Sequence, residues 1–223
     1  QDIKARISGS QSINETIRGA TFIIECIPED INLKKDLFQS LDKLCGEEVI
    51  LASNTSGLSP TCIASDTLLP QRILVTHFWN PAHLIPLVEV LRGEKTNDHT
   101  LQRAFELLKL MNKKPIEVKK EVPGLVGNRL QFALFREAQH ILQEGIASKE
   151  DIDIAVTYSI GRRLPITGPF MSADMGGLDV FSAISDYLFK DLSKADQSLP
   201  LLKKLVQQNK LGTKTGEGYY LWD

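Results

Sequence analysis

Residues 21–27 read Thr-Phe-Ile-Ile-Glu-Cys-Ile, an almost unbroken apolar run. A strand with one wet face would alternate apolar and polar residues; this one does not, so it reads as a strand buried on both faces. Pro28-Glu29-Asp30 turns the chain, and leucines at 33, 37, 41 and 44 then recur at helical spacing. Val49-Ile50-Leu51-Ala52 repeats the buried-strand signature and runs into the polar turn Ser53-Asn54-Thr55-Ser56-Gly57. Strand, helix and strand with short connections predict a parallel sheet of the α/β class.

The pattern extends in both directions. Upstream, Lys4–Ile7 reads as a short strand. Ser12-Ile13-Asn14-Glu15 reads as a capped helix start, with serine accepting an orphan N–H and glutamate reaching back, and that helix ends near Gly19. Downstream, Pro60–Ala64 suggests a short helix, and Arg72–Thr76 is a β-branched strand that ends at His77. Asn80-Pro81 marks a turn, since proline restricts itself and the residue before it. Leu84–Leu91 is a second extended run, Leu101–Met111 an amphipathic helix, and Pro115–Val118 a last strand. Beyond Pro123-Gly124 the texture becomes helical. Val126–Glu144 carries a core stripe of Leu130, Ala133, Leu134, Ala138, Ile141 and Leu142, with Gly145 as its C-cap. Ser148 caps another helix, and helical patterns follow over Leu178–Leu188 and Leu201–Gln208. A strand-like pattern returns only at Tyr219–Trp222. These changes divide the chain into residues 1–121, an α/β domain, and 122–223, a helical domain.

The 223 residues are enough to bury a sizeable core. Lys and Arg number 26 against 28 Asp and Glu, so no basic field points to nucleic acid or an anionic membrane. No run of about eighteen apolar residues suggests a membrane span, and Gln1-Asp2-Ile3-Lys4 does not open a signal peptide. Cys26, Cys45 and Cys62 are odd in number and lack a CxxC, which points to a reducing, cytoplasmic setting and away from a disulfide framework or a metal site.

In parallel α/β sheets, ligands gather at the carboxyl ends of the strands, where Glu25, Ser56 and His77 all fall. His77 and Glu89 lie twelve positions apart on either side of the Asn-Pro turn, so a doubled-back path brings carboxylate to imidazole. Such a carboxylate fixes the tautomer and stabilises the imidazolium, which makes the histidine a proton carrier near neutral pH. Glu89 sits in the apolar run Pro86–Leu91, where an unpaired carboxylate is costly. His83, His99 and His140 have no such partner signal. The Ser53–Ser56 loop offers short donors. Asn128 stands between Gly127 and Arg129 at the start of an apolar helix, where asparagine is a poor interior residue. Lys214 lies in the loop Lys214-Thr215-Gly216-Glu217-Gly218, which on chemistry alone is a turn with an exposed lysine.

Taken together, ASNTSGLS at 52–59, HFWNP at 77–81, LVEV at 87–90, PGLVGNRL at 123–130, GPF at 168–170 and KTGEGYY at 214–220 resemble the L-3-hydroxyacyl-CoA dehydrogenase family. The resemblance implies an incomplete Rossmann-type, doubly wound parallel sheet followed by a mostly α-helical C-terminal domain. It implies an NAD-dependent oxidoreductase of fatty acid metabolism that interconverts L-3-hydroxyacyl-CoA and 3-ketoacyl-CoA. His77 and Glu89 match its acid/base pair, and Ser56 and Asn128 match groups that hold the substrate oxygen, Ser56 also lying near the nicotinamide. Glu29, Lys34, Asn80 and Lys214 match further NAD contacts, and the helical domain is expected to form a homodimer. The family begins with a glycine loop that binds pyrophosphate, and no Gly-x-Gly-x-x-Gly occurs here. The expectation is therefore a fragment, or the ordered part of a longer chain, short of on the order of 60–90 residues. The Ile-Pro-Leu-Val-Glu form at 85–89 also resembles the lambda-crystallin, gulonate and carnitine dehydrogenase branch, whose members act on free 3-hydroxy acids. A non-catalytic structural or dimerisation module is the third reading.

Overall fold

The computed structural model describes residues 4–222. It comprises two compact units, the first running through Arg129 and the second starting at Leu130. The first unit is built on five strands: β1 (Phe22–Glu25), β2 (Ile50–Ser53), β3 (Ile73–Phe78), β4 (Leu87–Arg92) and β5 (Lys114–Val118). They lie side by side in chain order. β1/β2, β2/β3 and β4/β5 pair in parallel, whereas β3 and β4 pair antiparallel. The reversal has a simple cause. Residues 79–86 join β3 to β4, and a parallel crossover needs about a dozen residues or more.

Helices cover both faces. They are α1 (Ile13–Thr16), α2 (Ile31–Leu44), α3 (Pro60–Ile63) and α4 (Asp98–Leu110), with α5 (Gly127–Gln143) starting in the first unit and ending in the second. Ile50, Ala52, Leu74, Val88 and Val90 pack against Leu101, Ala104 and Leu108 of α4. Leu51 and Ile73, one residue out of phase and so on the opposite face, pack against Phe38 and Leu41 of α2 and Ile63 of α3. This two-sided burial is why β2 reads as an apolar run without alternation; β1 is the edge strand, with Phe22 and Ile23 only partly buried and Ile24 37% exposed, so the expected burial of residues 21–27 on both faces is not met.

Local expectations are corrected at several points. Lys4–Arg6 is an exposed 3₁₀ turn rather than a strand. At Ser12 the capping box does not form: the Ser12 side chain makes no cap bond, and Ser10 Oγ donates to Glu15 Oε2 at 2.6 Å instead. On α2 the buried face is Lys34, Phe38, Leu41 and Asp42, while Leu33 and Leu44 are exposed. The helix is rotated from its leucine stripe because two of its charges have buried partners. Lys34 meets Glu25 at 2.6 Å, and Asp42 meets Arg72 at 2.8 Å while also accepting Leu68 N–H at 2.5 Å. The Asp30 side chain caps α2 by accepting from Asn32 and Leu33 N–H.

In the second unit α5 is followed by α6 (Lys149–Tyr158), α7 (Ile160–Arg163), α8 (Pro169–Gly176), α9 (Leu178–Asp191) and α10 (Pro200–Gln207). Ser148 caps α6 as expected. α7 and α8 had no sequence signal because Gly161, Pro165 and Gly168 break the periodicity. Tyr219–Trp222 forms no strand; the chain there makes only isolated bridges, Glu217 with Gly212 and Leu221. Among the described residues no helix is long and apolar enough to cross a membrane.

Candidate active site

Antiparallel pairing places His77 of β3 directly opposite Glu89 of β4. Nδ1 of His77 lies 2.9 Å from Glu89 Oε2. The carboxylate is fully buried, and three more donors converge on it. Trp79 Nε1–H donates to Oε2 at 3.0 Å. The backbone N–H groups of Val126 and Gly127 donate to Oε1 at 2.8 and 2.9 Å. Those two amides open α5, so Glu89 occupies the anion position that a helix N-terminus provides. Burial alone would push the Glu89 carboxyl up, but the bonds from His77, Gly127, Trp79 and Val126 outweigh it and hold it down at about 2. Glu89 is therefore ionised across the neutral range. It fixes the proton on His77 Nδ1 and leaves the Nε2 lone pair to act.

Close packing sustains this geometry. A Cβ on Gly127 would lie 2.3 Å from Trp79 Cζ2 and 2.9 Å from Cε2, so only glycine lets α5 start against the indole. The Trp79 ring meets His77 edge-on, with centroids 6.3 Å apart. Asn54, just past β2, accepts Phe78 N–H at 2.8 Å on its side-chain oxygen, which ties the β2 loop to the residue after His77.

The other expected residues fall around this pair. Ser56 is exposed two positions beyond Asn54, and its N–H donates to Glu29 Oε1 at 3.0 Å. Thr55 Oγ1 also donates to Glu29 Oε1. Glu29 Oε2 stands 3.5 Å from Lys34 Nζ, and about half of the Glu29 side chain remains exposed. Lys34 itself is enclosed, its ammonium held by Glu25 and by the Ile27 carbonyl at 3.2 Å. It faces Glu29 rather than solvent. Asn80 is exposed at the cis Asn80–Pro81 bond of the β3–β4 connection. Asn128 is half-buried, one residue past the Gly127 amide that binds Glu89. Lys214 is exposed in the last loop of the second unit.

The structure thus joins His77 to Glu89 directly, places Asn128 beside the same clamp, and links Ser56 to Glu29. Trp79 is a part of the site that sequence reasoning did not single out; Asn54 belongs to the Ser53–Ser56 donor loop, and Gly127, read as a glycine that lets other backbone approach closely, is approached by the Trp79 indole instead. One signal was available for Trp79, because a buried indole N–H needs an acceptor.

The residues just past β1 and β2 suit a cofactor such as NAD in their chemistry: the half-exposed Glu29 carboxylate, braced by Thr55, Ser56 and Lys34, offers acceptor oxygens of the kind that ribose hydroxyls need.

Comparison with known proteins identifies the family of the chain. Residues 1–122 match the family model described as 3-hydroxyacyl-CoA dehydrogenase, NAD binding domain, and residues 124–222 match the C-terminal domain of the same family. The 3-hydroxybutyryl-CoA dehydrogenase of Clostridioides difficile is 44% identical over 207 residues, which is 92% of this chain and 72% of that protein. The 5-formyl-3-hydroxy-2-methylpyridine 4-carboxylate 5-dehydrogenase of Mesorhizobium japonicum is 37% identical over 96% of this chain and 69% of its own length. A crystal structure of a 5-dehydrogenase of that compound, titled an NAD+ dependent dismutase, superposes with a TM-score of 0.91 at 36% identity, covering 96% of this chain and 69% of that one. The chain belongs to the 3-hydroxyacyl-CoA dehydrogenase family of NAD-dependent oxidoreductases.

Proposed function

We propose that His77 and Glu89 are the acid/base pair of a dehydrogenase that interconverts an L-3-hydroxyacyl-CoA and its 3-ketoacyl-CoA. The observation that carries this reading is the buried Glu89 carboxylate, held ionised by four donors with one of its oxygens on His77 Nδ1. A structural module would have no need for such an arrangement. In the oxidative direction His77 Nε2 takes the proton of the C3 hydroxyl, and Glu89 stabilises the imidazolium that results. Bound NAD supplies the acceptor for the C3 hydride. Ser56 and Asn128 donate to the substrate oxygen and stabilise the charge that develops on it. Glu29 and Asn80 hold the cofactor, and Lys34 acts through Glu29. Residues 1–121 carry the cofactor together with His77, Glu89 and Ser56 of the reacting site, and residues 122–223 form the helical substrate and dimerisation domain.

The second reading is a dehydrogenase of a free hydroxy acid. It is favoured by the similarity to the pyridine-carboxylate enzyme, whose named substrate carries a carboxylate and no CoA. In either reading the enzyme works in the cytoplasm, in keeping with three free cysteines. A homodimer through the helical unit would cover Phe170, Leu178, Tyr187 and Phe189, which are each more than half exposed.

The test is NADH consumption by the full chain with acetoacetyl-CoA and, separately, with free 3-keto acids. Turnover of the thioester that falls by roughly 10²- to 10⁴-fold in His77→Ala is expected. Turnover of the free acids alone would transfer the assignment to the second reading. Undiminished activity in His77→Ala would remove the proposed mechanism.

A further inference from the structure

Glu25 ends β1 as a buried acid that the proton-transfer pair does not use. Its side chain and that of Lys34 are each only 1% exposed. Glu25 Oε1 accepts the Lys34 ammonium and the Ile27 N–H, both at 2.6 Å, and Oε2 accepts the Ser53 hydroxyl at 2.6 Å. A carboxylate this deeply enclosed is costly unless its lone pairs are used, and here they are.

Two chains of contacts lead from Glu25 to Glu29, which is 47% exposed. One runs through Lys34, whose Nζ lies 3.5 Å from Glu29 Oε2. The other runs through Ser53, whose Oγ accepts the Thr55 N–H at 3.3 Å, and then through Thr55 Oγ1, which donates to Glu29 Oε1. Thr55 Oγ1 also accepts the N–H groups of Gly57 and Leu58 at 3.2 and 2.9 Å, which fixes the loop. Each oxygen of Glu29 is thus tied back to the same buried acid.

The distances decide where the charge goes. One ammonium stands between two carboxylates, 2.6 Å from the buried one and 3.5 Å from the exposed one. Glu25 neutralises Lys34, and the surplus negative charge of the trio rests on Glu29. Hydrogen bonds to an ionised acceptor are roughly twice as strong as neutral ones, so Glu29 keeps its capacity for hydroxyl donors only while Glu25 holds the lysine.

We infer that Glu25 is a positioning residue for the cofactor: it draws Lys34 away from Glu29 and leaves the Glu29 carboxylate open to ribose hydroxyls. The inference rests on the reading of Glu29 as a cofactor contact and names what sets that contact. Glu25 takes no part in proton or hydride transfer.

The test titrates the full chain, Glu25→Gln, Glu29→Gln and the double variant Glu25→Gln/Lys34→Met with NADH, following nucleotide fluorescence, with thermal melts to show that each folds. Glu25→Gln leaves Lys34 with Glu29 as its ionised partner. NADH binding is expected to weaken roughly five- to thirty-fold, with KM for the nucleotide rising alike and kcat little changed. Adding Lys34→Met removes the charge that Glu25 held, so affinity is expected to recover toward the parent, whereas plain packing damage would deepen. A crystal structure of cofactor-free Glu25→Gln is expected to show the Lys34–Glu29 contact shortened from 3.5 Å to roughly 2.8 Å. Unchanged affinity in Glu29→Gln sinks the cofactor role of Glu29 itself. Loss in Glu29→Gln with none in Glu25→Gln, or a loss that Lys34→Met does not relieve, overturns the role of Glu25 alone. Should Glu25→Gln not fold, the double variant is judged against the parent, and a loss matching that of Glu29→Gln overturns the proposal.

Discussion

Replacing Glu89 by glutamine preserves shape and removes charge, and the structure says what that does atom by atom. The carboxylate accepts from four donors. In the glutamine the amide oxygen stays with the Val126 and Gly127 N–H groups, because the opposite orientation would set an NH₂ against both. The NH₂ then faces Trp79 Nε1–H and His77 Nδ1. The indole loses its acceptor, which costs about 1–3 kcal/mol of stability. The imidazole can satisfy the new donor only by accepting on Nδ1, so its proton moves to Nε2. That is the atom needed as a base, and the general-base share of the rate, roughly 10²- to 10⁴-fold, is lost from kcat. Steady-state kinetics in the oxidative direction, beside a urea melt of the same preparation, would measure both effects. A folded glutamine variant with kcat within about threefold of the parent would refute the idea that Glu89 sets the tautomer.

Other perturbations probe the supports of this pair. Gly127→Ala forces Trp79 aside and is expected to destabilise the protein by about 1–3 kcal/mol, with kcat falling as Glu89 loses its alignment; calorimetry and kinetics read the two effects. Asp42→Ala strands Arg72 among the carbonyls of residues 42, 45 and 46, so a loss of about 3–5 kcal/mol is expected in denaturant melts. Because the Glu89 carboxyl lies near 2 instead of 4.5, it contributes stability above pH 4.5 that is lost as pH falls toward 2. The amount is about 3 kcal/mol, and it should be missing from the acid-denaturation profile of Glu89→Gln.

The His77–Glu89 pair was legible in the sequence because every determinant is local: a strand, a turn-forming Asn-Pro, and a second strand of matching length. The antiparallel return follows from the short connection alone. What surrounds the pair was not legible. The Val126 and Gly127 amides come from 37 and 38 residues downstream, and nothing in a glycine's neighbours declares that an indole will lie against it. The buried face of α2 escaped for a related reason. Leucine spacing indicates where apolar surface could go, but Lys34 and Asp42 turn the helix inward through ion pairs with residues that only the fold brings near. Ser12 shows the reverse case, a capping motif present in the sequence whose partner was taken by Ser10.

The family models part the chain at residues 122 and 124, yet two of the four donors to Glu89 come from residues 126 and 127. A protein engineer who cut at that seam would keep the histidine and its carboxylate on one piece and discard half of what holds the carboxylate. The stump would retain its sheet but carry a mistuned proton carrier, so a portable version of this cofactor domain has to extend through the first turn of α5. The seam drawn by sequence ancestry and the seam drawn by chemistry are a few residues apart, and transplantation or recombination between relatives should follow the second.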